Sequence, residues 1–249
     1  MSINSLYSLG ARPRWLRPGL LFALLTVVLF WRILFGGQTL IATDILTTSP
    51  IWRAEPGPIR NPWLSDTVEF YYPSEKIASE HARLGRLPLV NPYIFNGAPI
   101  LHGIHIWNSV WPVKVAFLLL FDPVRSYDCF AIFHFWLAGV AMVLFLRSLD
   151  IRELPACVAA LAYVLSGRAM LWLHGHYLMP TLAYVPLVFL AARHRSLLGM
   201  IPVAGLFFTN PQIGLATCAA VFVRERSSWK FSVPGALLAG VALVPLAVA

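Results

Sequence analysis

The sequence predicts an all-α, polytopic helical membrane protein with a long outer loop after its first transmembrane helix. Three observations predict it. The chain of 249 residues is 58% hydrophobic but only 12% charged, against roughly 25% charged in ordinary soluble proteins. Apolar runs of helical length recur from Trp107 to Ala249, separated by short polar turns. One long polar stretch, Asp44 to about Ile106, interrupts the pattern directly after the first apolar run.

The charge balance excludes some classes. The formal net charge is +8, yet no basic cluster is interleaved with aromatics on a polar surface, as single-strand nucleic-acid binding requires. In a membrane chain the positions of the cations matter more than their sum. Cys129, Cys157 and Cys218 each sit inside an apolar run with no CxxC spacing. They predict small core residues, neither a disulfide framework nor a zinc site.

Taken in order, residues 1–18 form a basic cytoplasmic flank with Arg12, Arg14 and Arg17. The apolar run Gly19–Phe35 places a first transmembrane helix at 19–41. It exceeds a signal-peptide core, and no small-x-small cleavage site follows. The arginines before it predict a cytoplasmic N-terminus, so residues 42–106 form an outer loop. Within that loop, residues 73–85 read as a short amphipathic helix. Pro73 suits its first turn, Ile77, Ala78, His81 and Leu84 share a face, and Gly85 with Pro88 ends it. Asn91–Pro99, rich in Pro, Gly and Asn, reads as irregular loop.

Residues 107–249 form a membrane helix bundle. Val110–Phe121 is too short to span, since roughly 20 residues are needed, and reads as a re-entrant or interfacial piece. Spans follow at Tyr127–Leu146 and Pro155–Leu173, then shorter runs at Leu178–Ala192, Leu197–Thr209, Ile213–Val223 and Val233–Ala249. The turns 147–153, 193–195 and 224–230 each carry at least two Lys or Arg, and the turns 174–178 and 210–212 carry none. This alternation predicts about seven spans with the cationic turns in the cytoplasm. Pro180, Pro186, Pro202 and Pro211 are expected to interrupt spans and leave a cavity.

Several residues are candidates for chemistry. Asp44 is either a turn residue facing water or a carboxylate at the membrane surface, able to act as a base or metal ligand. Asp66 and Glu69 stand one helical turn apart if the segment is helical, and could hold a divalent cation or sugar hydroxyls; otherwise they are a solvated pair. Tyr72, with Tyr71, Trp63, Tyr93 and Trp107, fits an interfacial aromatic belt or sugar stacking. Lys114 lies in an apolar piece and Arg168 inside a span, where a cation is costly and marks a functional site. Arg168 suits a phosphate, because its guanidinium matches phosphate oxygens bidentately. His174 and His176 could hydrogen-bond a phosphate or shuttle a proton, or be plain interfacial polar residues. Their i,i+2 spacing argues against a zinc pair. No nucleotide loop, GxSxG or HExxH occurs.

The ordered set of Asp44, Ser65-Asp66, Tyr71-Tyr72-Pro73, Gly85-Arg86-Leu87-Pro88, Asn91-Pro92-Tyr93 and Asn96-Gly97-Ala98-Pro99 resembles the bacterial YfhO family of multi-spanning membrane proteins. Leu161–Gly167, Gly175-His176, Tyr184–Leu187 and Pro211-Gln212 continue the resemblance. It implies a GT-C-like glycosyltransferase in the bacterial plasma membrane, moving a sugar from a polyprenyl-phosphate carrier to an acceptor on the outer face. The implied catalytic acid is Asp44 first and Asp66 second, with Arg168, His174 and His176 near the carrier phosphate. A divalent cation, Mg or Mn, is the one cofactor this class suggests. Family members are longer, so the chain is expected to be an N-terminal part, and such a fragment would need a protein partner. A non-catalytic protein that binds or transports the lipid carrier is the alternative.

Overall fold

The computed structural model describes residues 16–48, 58–60, 62–93, 97–99, 107–175 and 178–247. Arg12, Arg14 and His176 therefore lie outside the described residues. The described chain is mostly helical. Helix α1 runs Leu16–Leu34, α2 Tyr72–Arg83, α3 Pro112–Leu120 and α4 Pro123–Ser148. Then follow α5 Glu153–Val164, α6 Gly167–Leu173, α7 Met179–Arg193, α8 Met200–Thr209, α9 Pro211–Arg224 and α10 Trp229–Ala247.

Helix α4 is the axis. Asp122 starts it by accepting from the amides of Val124 and Arg125, with Pro123 in the first turn. Both features satisfy or remove N–H groups that a helix start leaves orphaned. Its sides hold α1, α5 and α7. Phe22, Thr26 and Phe30 recur every four residues and bury one stripe of α1; Phe30 meets Phe135 edge-on with ring centroids 5.1 Å apart. The other face of α1, with Leu20, Leu24 and Val28, is exposed. Gly205 of α8 lies under the Tyr184 ring of α7, and Gly235 of α10 against Val203 of α8, so bare backbone lets these helices approach.

The contacts give the bundle two ends. Arg125 of α4 donates to the Ile33 carbonyl at the finish of α1, and Arg193 donates to the Ser148 carbonyl, joining the finishes of α7 and α4. One end thus gathers the finish of α1, the start of α4 and the polar segment. The opposite end gathers the start of α1 and the turns 147–153, 193–195 and 224–230, with Arg17, Arg147, Arg152, Arg193, Arg195, Arg224 and Arg226.

By length and apolarity two described helices, α1 and α4, can each cross a membrane; α5 with α6, bent by 54°, makes a third if the pair is one span. Helix α7 and the run 197–209 are apolar but shorter. Of the about seven spans expected, two or three are matched in length and apolarity among the described residues. The breaks have local causes. Ser166 caps α6 by accepting from the Ala169 amide, which starts a new helix inside the expected span. Asn210 caps α9 by accepting from the Ile213 amide, at the turn expected there. Of the four prolines expected to interrupt spans, Pro180 and Pro211 instead open α7 and α9, and Pro186 is interior to α7.

The first helix ends at Leu34 rather than at 41, and residues 35–42 leave it as non-helical chain. Of the loop that follows, α2 is folded onto the bundle. Helix α2 matches the expected amphipathic helix, but it buries Glu75, Ile77, Ala78 and Ser79 against α3 and α4 and leaves Leu84 exposed. Strands β1 (Val90–Asn91) and β2 (Ala98–Pro99) pair antiparallel, Val90 with Pro99 and Asn91 with Ala98, where irregular loop was expected. Gly97, at φ +115°, permits the return into β2.

Candidate functional site

The polar segment is fastened where it leaves α1. Asp128, fully buried on α4, accepts from the Thr39 hydroxyl at 3.0 Å and the Leu40 amide at 2.9 Å, both on Oδ1. The Leu40 carbonyl in turn accepts from His174 Nδ1 at 3.0 Å. The Tyr127 hydroxyl donates to the His174 carbonyl. Leu40 is thus held on both sides of its peptide, by α4 and by the end of α6. Two residues on, the Ala42 amide donates to Thr67 Oγ1 at 3.1 Å, and that hydroxyl donates to the Leu64 carbonyl at 2.7 Å.

Asp44 sits on this fastened chain. It is half-buried in a 3₁₀ segment, Thr43–Thr48, and its Oδ2 accepts from the Arg60 amide at 2.9 Å. That bond closes the 44–60 loop and leaves the other oxygen for a second partner. Asp66, exposed, precedes a π-helical turn, Thr67–Tyr71, that also carries exposed Glu69. Single π turns inside helices recur at functional sites. Tyr72 follows as the half-buried first residue of α2. The Ala42–Thr67 bond brings the Asp44 and Asp66 segments together, and the Leu40–His174 bond adds His174.

Lys114 and Arg168 belong elsewhere. Lys114 is fully buried and its Nζ lies 2.6 Å from Glu75 Oε1, which also accepts from the Ser126 hydroxyl at 2.6 Å. Nζ stands 4.4 Å over the Phe130 ring. Burial pushes the ammonium below the usual lysine range, and the Glu75 carboxylate pulls it back up. Expected to meet substrate, Lys114 instead ties α2 to the bundle. Arg168 stands exposed in the first turn of α6, its guanidinium 4.5 Å over the ring of Trp172. It lies on the surface of the bundle, where an anion can reach it.

A second buried chain runs beside the ion pair. His134 Nδ1 contacts the Phe130 carbonyl at 2.8 Å, and Nε2 contacts the Tyr184 hydroxyl at 3.0 Å. Trp111 Nε1 donates to that same hydroxyl at 2.9 Å. The pattern is consistent when His134 is neutral with its proton on Nδ1, so that Tyr184 donates to Nε2. Asp128, His134, Glu75 and Ser126 were not among the expected site residues. Asp128 and His134 carry the signal that marked Arg168, an ionisable group inside an apolar span. Glu75 aligns with Ala78, Ser79 and Ala82 in an i, i+3, i+4, i+7 row of small residues.

Substitutions at Asp128 test the fastening. Its Oδ2 is buried with no partner among the described residues, so the negative charge finds no bond there. Asp128→Ala orphans the Thr39 hydroxyl and the Leu40 amide, at about 1–3 kcal/mol for each buried group left unpaired. Hydrogen exchange of the chain in lipid nanodiscs is expected to show faster exchange at Leu40 in Asp128→Ala. Asp128→Asn retains the Oδ1 acceptor and is expected to keep near-native protection; equal protection in all three chains would remove the fastening role.

Among the described residues no group of three or more His, Cys, Asp or Glu gathers to hold a metal ion. The described residues therefore supply no ready cage for Mg or Mn. A cavity of about 300 Å³ lies at the opposite end of the bundle, lined by residues of α4, α7 and α9. The fold and site define a class: a mostly helical protein whose described residues include two or three helices long and apolar enough to cross a membrane, with the described start of a polar segment fastened at one end of them. No protein-family model, no curated protein and no solved structure matches the chain.

Proposed function

We propose that the chain is a multi-pass membrane protein, N-terminus in the cytoplasm, that transfers a sugar from a polyprenyl-phosphate carrier at the outer face of a bacterial plasma membrane. The membrane part rests on exposed apolar faces, such as Leu20, Leu24 and Val28 of α1, which water would penalise. The orientation rests on the gathering of cationic turns at one bundle end. A GT-C-like arrangement and the lipid-carried donor rest on the family resemblance.

The observation that carries the chemistry is Asp44: a half-buried carboxylate at the bundle end, one oxygen held by the Arg60 amide and the other left for a proton. In this reading that oxygen takes the proton of the acceptor hydroxyl. The acceptor oxygen attacks the anomeric carbon, the bond from that carbon to the phosphate oxygen breaks, and polyprenyl phosphate leaves with the electron pair. Direct displacement inverts the anomeric centre. Asp66, Glu69 and Tyr72 hold sugar hydroxyls or the ring face, and Arg168 with His174 meets the carrier phosphate.

The test is transfer of radiolabelled sugar from a panel of polyprenyl-phosphate sugars by the full chain in lipid. Asp44→Asn keeps an acceptor for the Arg60 amide and loses the base, so transfer is expected to fall about 10²–10⁴-fold. Unchanged transfer in folded Asp44→Asn and Asp66→Asn chains would overturn the assignment.

One observation favours a non-catalytic carrier-binding or transport protein instead. Arg168, an exposed anion partner, shares no described contact with Asp44 or Asp66. Carrier bound by the wild type and by both carboxylate variants, with no transfer by any of them, would select that reading.

A further inference from the structure

The cavity at the basic end of the bundle has the chemistry of an amphiphile site. Its volume is about 300 Å³ and it lies between the finishes of α4, α7 and α9. Phe145 of α4, Phe189 of α7 and Val221 of α9 supply an apolar wall, with the two phenyl centroids 5.6 Å apart. Arg193 and Arg224 stand at the rim and both are exposed.

The charges at this rim do not cancel. Arg193 uses Nε for the Ser148 carbonyl, 3.2 Å away, and that bond leaves its two terminal nitrogens. Arg224 has no hydrogen-bond partner among the described residues. The one carboxylate in the lining, Glu225, accepts from the Ser227 hydroxyl at 2.7 Å and faces Arg195 at 3.4 Å. The finishes of three helices also bring carbonyl oxygens here, which by themselves favour cations over anions. Each is partly answered: the Leu149 amide bonds the Leu146 carbonyl, the His194 amide the Leu190 carbonyl and the Glu225 amide the Val221 carbonyl. What remains is an apolar cleft with two guanidinium groups at its mouth.

We propose that this cavity binds an anionic membrane phospholipid, its phosphate between Arg193 and Arg224 and an acyl chain along the Phe145–Phe189–Val221 wall. Guanidinium groups match phosphate oxygens bidentately. Basic pockets between membrane helices on the cytoplasmic side bind anionic head groups by this chemistry. The site rests on the membrane reading and is independent of sugar transfer: a chain that transfers nothing can still hold the lipid.

The full chain, purified in a neutral detergent, would be titrated with dioleoyl phosphatidylglycerol, dioleoyl phosphatidylcholine and glycerol 3-phosphate, with bound lipid counted by native mass spectrometry. Phosphatidylglycerol is expected to bind at least about tenfold more tightly than phosphatidylcholine. The double variant Arg193→Gln/Arg224→Gln is expected to lose that preference, and Arg226→Gln, an exposed change outside the lining, to keep it. Equal binding of the two lipids by the wild type, or an undiminished preference in the double variant, would overturn the site. Glycerol 3-phosphate displacing the lipid at comparable concentration would overturn the lipid assignment in favour of a soluble phosphate ester. Should the double variant not fold, raising salt from 0.1 to 0.5 M with the wild type is decisive. The phosphatidylglycerol preference must shrink, and its persistence would rule out recognition by charge at this exposed rim.

Discussion

Lys114→Ala is expected to destabilise the protein by about 3–5 kcal/mol, the cost of breaking a buried ion pair from one side. The structural reason is that neither Lys114 nor Glu75 has any side-chain exposure to solvent, and they meet at 2.6 Å. Removing the ammonium leaves the Glu75 carboxylate buried without its counter-charge, with the Ser126 hydroxyl still bonded to Oε1. A single hydroxyl bond to a charged group contributes about 1.5–3 kcal/mol, too little to replace a full opposite charge. The contact of Nζ with the Phe130 face adds a smaller share, about 0.5–2 kcal/mol. Phe130→Leu should therefore cost less through lost cation–π attraction than Lys114→Ala costs through the lost counter-charge of Glu75.

The direction of the double variant separates a broken pair from a merely altered core. Lys114→Met with Glu75→Gln removes both charges at nearly constant volume, and is expected to recover most of the loss. Unfolding in lipid or detergent, followed by tryptophan fluorescence, gives the ranking. The pair joins α2 to α3, and Ser126 extends it to α4. Limited proteolysis of Lys114→Ala should thus cut α2 before it cuts the bundle. If Lys114→Ala and the double variant are equally destabilised, the pair is not what holds α2 down.

The helical class and the polar segment were legible in the sequence because they follow from period and composition. Apolar runs and capping residues show locally, and so does the amphipathic stretch that became α2. What was not legible were the long-range bonds that set the site. Asp128 meets Leu40 across 88 residues of chain and His174 meets Leu40 across 134. No local spacing encodes either. The same limit explains Lys114. Its place in an apolar run marked it as unusual, but only the fold shows that its partner is Glu75, 39 residues earlier. Asp44 was legible as a carboxylate just after a span. Its bond to the Arg60 amide depends on a loop closure that the sequence does not announce. Span lengths were not legible for a different reason. Hydropathy sees continuous apolar character through Ser166, whereas Ser166 can cap a new helix and bend the run.

Gly139 carries the second large prediction. A Cβ built there would lie 2.2 Å from Cδ1 and 2.7 Å from Cγ of Phe22 on α1. Phe22 is fully buried, and the overlap reaches the base of its ring, so rotating the ring tip cannot relieve it. The clash must move α1 away from α4. Its other ties to α4 then stretch as well, among them the Trp136 indole donating to the Gly19 carbonyl at 3.1 Å. Small residues at helix contacts matter more in lipid than in water, because apolar burial there gives little drive and close packing must supply it. Gly139→Ala is therefore expected to destabilise by about 1–3 kcal/mol, and Gly139→Val by more. Phe22→Ala alone opens a cavity at about 3–5 kcal/mol. The two changes oppose each other, one adding volume where the other removes it. The double variant Phe22→Ala/Gly139→Ala should be more stable than the sum of the singles by about 0.5–3 kcal/mol. Strict additivity would mean that Phe22 and Gly139 are not in contact, and that α1 packs on α4 by another face.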